Sequence, residues 1–202
     1  VNCGAATSPG EQWAGALRAS AAHSTVALAD KSSAMFLKRG FLRRTLGPRL
    51  IAEQGEVLTR RNESAQGLLV EASHDYYVQR FGIVHRRRLA LSPKGLLLTG
   101  TDQLIPEGPK SRKRAKGCPF AIRFHIHPDV RLSLAQGGGS VILKLPNGEG
   151  WRFRCSDGAL TIEESVYLGG GKLRRCEQLV ISAQVRNEDI EVAWLFEQIG
   201  AG

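Results

Sequence analysis

The sequence predicts an all-β fold, an antiparallel multi-stranded β-sandwich with little helix. Three observations predict it. Short alternations of apolar and polar residues succeed one another from residue 67 to residue 196. Turn-forming clusters separate them: Ser92-Pro93-Lys94-Gly95, Gly137-Gly138-Gly139, Pro146-Asn147-Gly148 and Asp157-Gly158. Their Gly and Asn residues tolerate the positive φ that tight hairpins need. Helical periodicity is scarce over the same span. A chain of 202 residues suffices for one well-cored domain, so residues 1–202 are expected to form a single sandwich.

The elements follow in order. Residues 11–22 carry a weak helical signal, spoiled by Gly15 and a run of Ala and Ser. Residues 35–50 interleave Met35, Phe36, Leu37, Phe41 and Leu42 with Lys38, Arg39, Arg43 and Arg44. Gly40, Gly47 and Pro48 argue against a long helix there, so an exposed loop or short helix is expected. Strands are then expected at 68–72, 77–81, 84–91, 96–101, 120–127, 130–135, 141–145, 151–155, 160–166, 177–182 and 190–196. The clearest is Phe120 to His127, where Phe120, Ile122, Phe124 and Ile126 point one way and Arg123, His125 and His127 the other. In residues 151–155, Trp151, Phe153 and Cys155 oppose Arg152 and Arg154. Pro106 to Gly117 has almost no apolar content and reads as a mobile basic loop between strands.

Composition narrows the function. Against 19 acidic residues stand 28 Lys and Arg, a formal net charge of +9. Such an excess favours polyanions, whether nucleic acid, anionic lipid or acidic polysaccharide. Aromatics do not interleave regularly with the basic residues, and no recognition helix is visible, which disfavours nucleic acid. No apolar run reaches the length of a membrane span, and no secretory leader is visible. Val rather than Met opens the chain, as expected of a fragment or processed piece. Cys3, Cys118, Cys155 and Cys176 lie far apart with no C-x-x-C pair, which excludes zinc-finger and thioredoxin patterns. Cys155 reads as a small core residue. Phosphate-loop, dinucleotide and Gly-x-Ser-x-Gly motifs are absent.

The candidate chemistry rests on five histidines. His23 is either a polar residue at a strand start or an active-site imidazole at the rim of a sheet. His74-Asp75-Tyr76-Tyr77 reads either as a turn or as a site, and Tyr77 acts as a base only if neighbouring cations lower its phenol. His85 shares a face with Ile83, Leu89 and Leu91 and reads as a half-buried, hydrogen-bonded ring. Arg86 and Arg88 face the other way, as a solvated face or an anion site. His125 and His127, two apart on one strand face, suit either a shared metal or a pair of solvated or hydrogen-bonded rings. With Arg123 they can also meet an acidic ligand.

Several segments together resemble the heparinase II/III-like family of polysaccharide lyases, in its C-terminal β-sandwich domain. They are Val1-Asn2-Cys3-Gly4, Ala22-His23-Ser24-Thr25-Val26, Ser73-His74-Asp75-Tyr76-Tyr77, Arg80-Phe81-Gly82-Ile83-Val84-His85-Arg86-Arg87, Arg123-Phe124-His125-Ile126-His127-Pro128, Leu145-Pro146-Asn147-Gly148-Glu149-Gly150-Trp151 and Glu163-Glu164-Ser165-Val166-Tyr167. The resemblance implies a two-domain enzyme. An N-terminal α/α toroid, absent from this chain, would form one wall of a cleft and the sandwich the other. It also implies cleavage of acidic, uronate-containing polysaccharide such as glycosaminoglycan or alginate by β-elimination. A base removes the proton α to the uronate carboxylate, and a cation or hydrogen-bond donor stabilises the developing charge.

The family's His-Asn-Thr-Val motif falls on His23, with Ser24 in place of Asn. Its His-Asp-Gly-Tyr motif falls on His74 to Tyr77, with Tyr76 in place of Gly. The resemblance therefore implies catalytic roles for His23 and Tyr77, and a structural zinc with His74 as a ligand; spacing adds His127. Arg86, Arg123 and His125 are the expected substrate contacts. The isolated chain is expected to be inactive, and a periplasmic or cell-envelope location is expected from the family. A non-catalytic carbohydrate-binding or structural sandwich is the alternative.

Overall fold

A computed structural model describes all residues except 5–10, 37–49, 52–54, 136, 170–171 and 202. Two antiparallel sheets face each other across one core, as the alternations predict. The larger has eight strands in the order β4 (Val57–Ser64), β5 (Gly67–His74), β6 (Ile83–Leu91), β7 (Leu97–Pro106), β14 (Ile190–Ala201), β11 (Glu149–Cys155), β10 (Ser140–Lys144) and β9 (Arg131–Leu134). The smaller has four, in the order β1 (Val26–Leu28), β8 (Pro119–His125), β13 (Arg174–Gln184) and β12 (Ala159–Tyr167). A two-residue pairing joins β2 (Met35–Phe36) to β3 (Leu50–Ile51).

Val26, Leu28, Phe120, Ile122, Phe124, Leu179 and Ile181 face inward from the small sheet. Leu104, Val141, Phe153, Val192 and Trp194 meet them from the large one. Each such burial contributes about 1.5–3 kcal/mol, so this layer dominates the stability. Phe124 lies against Phe153, Trp194 and Phe196 at ring-centroid distances of 5.1, 4.7 and 5.7 Å, tilted or edge-on as aromatic quadrupoles prefer. Cys155 packs half-buried against this core, and all four cysteines are free.

Several segments depart from the sequence expectations, among them Met35–Phe36 and Leu50–Ile51, which pair as strands where a loop or short helix is expected. Residues 77–81 do not form a strand. Val78–Phe81 is a short helix (α2), ended by Gly82 in the left-handed conformation at φ 69°. The apolar residues Tyr77 and Phe81 lie four apart, so they stack on one side of a helical turn as readily as of a strand. The basic segment 106–117 is not a bare loop. Pro109–Ala115 is a helix (α3), with Pro at its first turn and Ala115 fully buried. Arg112 reaches Asp189, and Arg114 donates to the Val78 carbonyl, so the charges tie it to its neighbours. Strand β4 was not anticipated. Both its faces are exposed, so burial imposes no period-two pattern on it.

Residues 11–22 hold a helix, Glu11–Ala16 (α1), and a 3-10 turn, Ser20–Ala22. Most of the basic stretch 35–50 lies outside the described residues. Among the described residues no helix is long and apolar enough to cross a membrane.

Candidate functional site

Strand β6 brings the chemistry inward. Ile83, His85, Arg87 and Leu89 share its core-facing side, so an imidazole and a guanidinium enter an apolar layer. Buried charge of this kind requires a partner. Asp102 on β7, directly opposite Arg87, supplies it and is 1% exposed. Arg87 grips both carboxylate oxygens, Nε to Oδ1 at 2.7 Å and Nη2 to Oδ2 at 2.8 Å. His85 Nε2 donates to Oδ1 at 2.7 Å, and Trp194 Nε1 donates to Oδ2 at 2.9 Å. Burial alone pushes the Asp102 carboxyl up. The Arg87 charge and the hydrogen bonds from His85 and Arg87 overcome it and hold the group down at about 2.

The cluster extends through His74, which faces His85 on the neighbouring strand. Because His85 Nε2 carries the proton given to Asp102, His85 Nδ1 is the acceptor for His74 Nε2 at 3.2 Å. Burial first, and then His85, pulls His74 down to about 4. Tyr77 stacks beside His74 with ring centroids 5.5 Å apart. It is fully buried, and its hydroxyl donates to the Val26 carbonyl at 3.1 Å. Burial raises its phenol pKa, the direction opposite to the one a base at neutral pH needs. Tyr77 is thus placed as an inter-sheet post, with no open face for a substrate.

His23 is placed differently. It closes the 3-10 turn just before β1, with its N–H bonded to the Ser20 carbonyl at 3.1 Å and its own carbonyl accepting from Thr25 at 2.8 Å. Its ring is half-buried and has no side-chain hydrogen bond or ion pair among the described residues. Ser24 is bonded on every side: Arg87 Nη1 donates to its carbonyl at 2.5 Å, its hydroxyl donates to the Val1 carbonyl, and its hydroxyl accepts from the His125 N–H.

The expected substrate contacts are not gathered together. Arg123 and His125 lie on the outer side of the small sheet. Arg123 is 14% exposed and 3.5 Å from Asp30. His125 is 2% exposed, which removes it as a direct substrate contact. Its Nε2 donates to the Ala21 carbonyl at 2.9 Å, leaving Nδ1 to accept from Ser165 Oγ at 2.9 Å. Burial lowers its pKa, with Arg123 and His23 among the lesser causes. Of the solvated or hydrogen-bonded ring expected here the structure shows the hydrogen-bonded one, because the N-terminal segment covers this outer face, with Cys3 Sγ 3.6 Å from His125 Nδ1. Arg86 lies on the outer face of the large sheet, opposite Ser73 and Gln103, away from both.

His127 lies beyond the end of β8, edge-on to Tyr167 at 4.9 Å, with its Nδ1 accepting from the Asp129 N–H. It and His74 sit in separate networks, and among the described residues no three His, Cys, Asp or Glu side chains converge as a metal group. Of the ionisable neighbours of His74, His85 already spends one ring nitrogen on His74 and the other on Asp102, and Asp75 accepts from the Glu56 N–H. The donors present do not fit a zinc held by His74 and His127.

Sequence reasoning missed Asp102, Arg87 and Trp194. One signal for them exists: Arg87 lies in phase with Ile83, His85 and Leu89, and a guanidinium on an apolar face calls for a buried anion.

Comparison with known proteins agrees with this architecture. A family model described as "Heparinase II/III-like, C-terminal" matches residues 1–195. FtsZ-localized protein C of Caulobacter vibrioides is 36% identical over 196 residues, covering 93% of this chain and 32% of that protein. The heparan sulfate lyase HepC from Pedobacter heparinus superposes with a TM-score of 0.70 at 11% identity, over 98% of this chain and 28% of that one. A heparinase III superposes with a TM-score of 0.64 at 14% identity, over 97% of this chain and 26% of that one. The chain thus spans about a third or less of the length of each of these proteins. By its match over nearly its whole length, the chain belongs to the heparinase II/III-like family, as the C-terminal domain.

Proposed function

We propose that this sandwich operates as part of a longer protein that binds and cleaves acidic, uronate-containing polysaccharide by β-elimination. It contributes the His23 imidazole and a cationic surface; the remaining acid–base groups lie outside this chain. The observation that carries the reading is the state of His23. Of the two expected catalytic residues it alone keeps its polar atoms uncommitted among the described residues, on a backbone bonded on both sides. An imidazole whose ring nitrogens are uncommitted can serve as a general acid or base. The net charge of +9 attracts a polyanionic chain and aids its capture.

The experiment is a paired assay of the 202-residue chain on heparin, heparan sulfate and alginate. Binding that weakens with salt, without release of unsaturated uronate absorbing in the ultraviolet, is expected. Vigorous turnover by the isolated chain contradicts the reading.

A second reading, a non-catalytic carbohydrate-binding or structural sandwich, draws on two observations. Tyr77 is committed to the core. The Caulobacter relative is named for localisation with FtsZ, not for a lyase activity. Substituting His23 in the longer protein separates the two: unchanged turnover favours the second.

A further inference from the structure

We propose that Arg87 is a positioning residue for His23: its guanidinium, locked on Asp102 in the core, clamps the Ser24 carbonyl and thereby fixes the aim of the neighbouring imidazole. The inference rests on the reading of His23 as the working group of this face. Arg87 comes from the large sheet and Ser24 precedes the first strand of the small one, so the contact ties the sheets together at the one segment that carries His23.

The clamp has no slack. Arg87 spends Nε and Nη2 on Asp102 and Nη1 on Ser24. Its plane is flanked by Phe124 and Trp194, with the guanidinium carbon 5.8 and 5.7 Å from their ring centroids. Asp102 is held from its far side by His85 and Trp194, so it cannot follow Arg87 if Arg87 moves. A planar fork can satisfy the carboxylate and the carbonyl at once. A lysine ammonium, a single point of charge, cannot hold the same geometry.

The test is the Arg87→Lys variant of the chain, read by the imidazole proton resonances of His23, with the indole ring of Trp151, on β11 and bonded to Glu149, as internal reference. The clamp predicts that His23 shifts and broadens while Trp151 is unchanged. An unmoved His23 in a folded variant overturns it, as does an equal change at both rings, which marks general loosening.

A double-substitution cycle adds a functional readout with a heparin hexasaccharide. Arg87→Lys should weaken binding about tenfold in a chain that keeps His23, and not at all in one carrying His23→Gln. An equal loss in both backgrounds overturns the inference. If the unsubstituted chain does not bind heparin, the polysaccharide reading fails while the ring resonances still decide the role of Arg87. If Arg87→Lys does not fold, the unsubstituted chain decides. Slowly exchanging Arg87 Nη1 protons with a through-space contact to Ser24 support the clamp, and a freely rotating guanidinium refutes it.

Discussion

The imidazoles of His74 and His85 meet nitrogen to nitrogen, Nε2 to Nδ1 at 3.2 Å, on facing positions of β5 and β6. The direction of the proton follows from Asp102, which accepts from the opposite nitrogen of His85. His74 therefore donates through Nε2, and its Nδ1 is left buried without a partner. Protonating His74 would place a cation next to this pair in a site short of water.

Acid should therefore weaken the fold in two stages. His74 titrates near 6.5 when exposed and near 4 in the folded chain. Between those values the unfolded chain binds a proton that the folded chain does not, so stability is full above pH 6.5 and declines toward pH 4. Asp102 adds a second loss below 3.8, continuing to about 2, as its carboxylate takes up a proton in the unfolded chain first. Urea midpoints measured from pH 7 down to pH 4 should fall steadily, and His74→Phe should flatten that slope. An equal slope in the variant would remove His74 from the account.

Removing the anion at the centre of the cluster should be among the costliest single changes. Asp102→Ala leaves Arg87 buried beside Phe124 and Trp194 without a counter-charge, at a cost of about 3–5 kcal/mol. Chemical denaturation measures it. A loss under about 1 kcal/mol would mean that water already reaches the guanidinium.

Gly100 should not tolerate even a methyl group. A Cβ there would lie 2.3 Å from the Trp194 ring, which is directly opposite on β14 and pinned through Nε1 to Asp102. Gly100→Ala is expected to cost about 1–3 kcal/mol through overpacking and to shift the tryptophan emission. An unaltered spectrum and midpoint would show that Trp194 can move aside.

Much of the fold was legible, for a reason visible in β8. Phe120, Ile122 and Phe124 alternate with Arg123 and His125, and one buried face enforces that period. Where burial enforces nothing, as in β4, no pattern survives. Tyr77 and Phe81 misled because a spacing of four serves a helical turn as well as a strand. The site was half legible. His23, His74 and Tyr77 stand out as motif residues, but the ionic core does not. Asp102 lies in an unremarkable stretch of β7, and only strand register brings it opposite Arg87. The cover over His125 depends on Cys3 and Ser165, 162 residues apart in the chain, a contact no local pattern announces.

Tyr77 should behave as a structural residue. Tyr77→Phe removes the hydrogen bond to Val26 and should cost about 1 kcal/mol. Turnover by the longer protein should be unchanged within about twofold. A loss of ~10²–10⁴-fold, the scale of a missing acid–base group, would return Tyr77 to the chemistry.

The most direct measurement is turnover of heparin, heparan sulfate and alginate by the longer protein carrying His23→Gln, followed by the ultraviolet absorbance of the unsaturated uronate. A drop of roughly 10²–10⁴-fold with an unchanged unfolding midpoint is predicted if His23 moves a proton in the cleft. Full turnover by the substituted protein would contradict it.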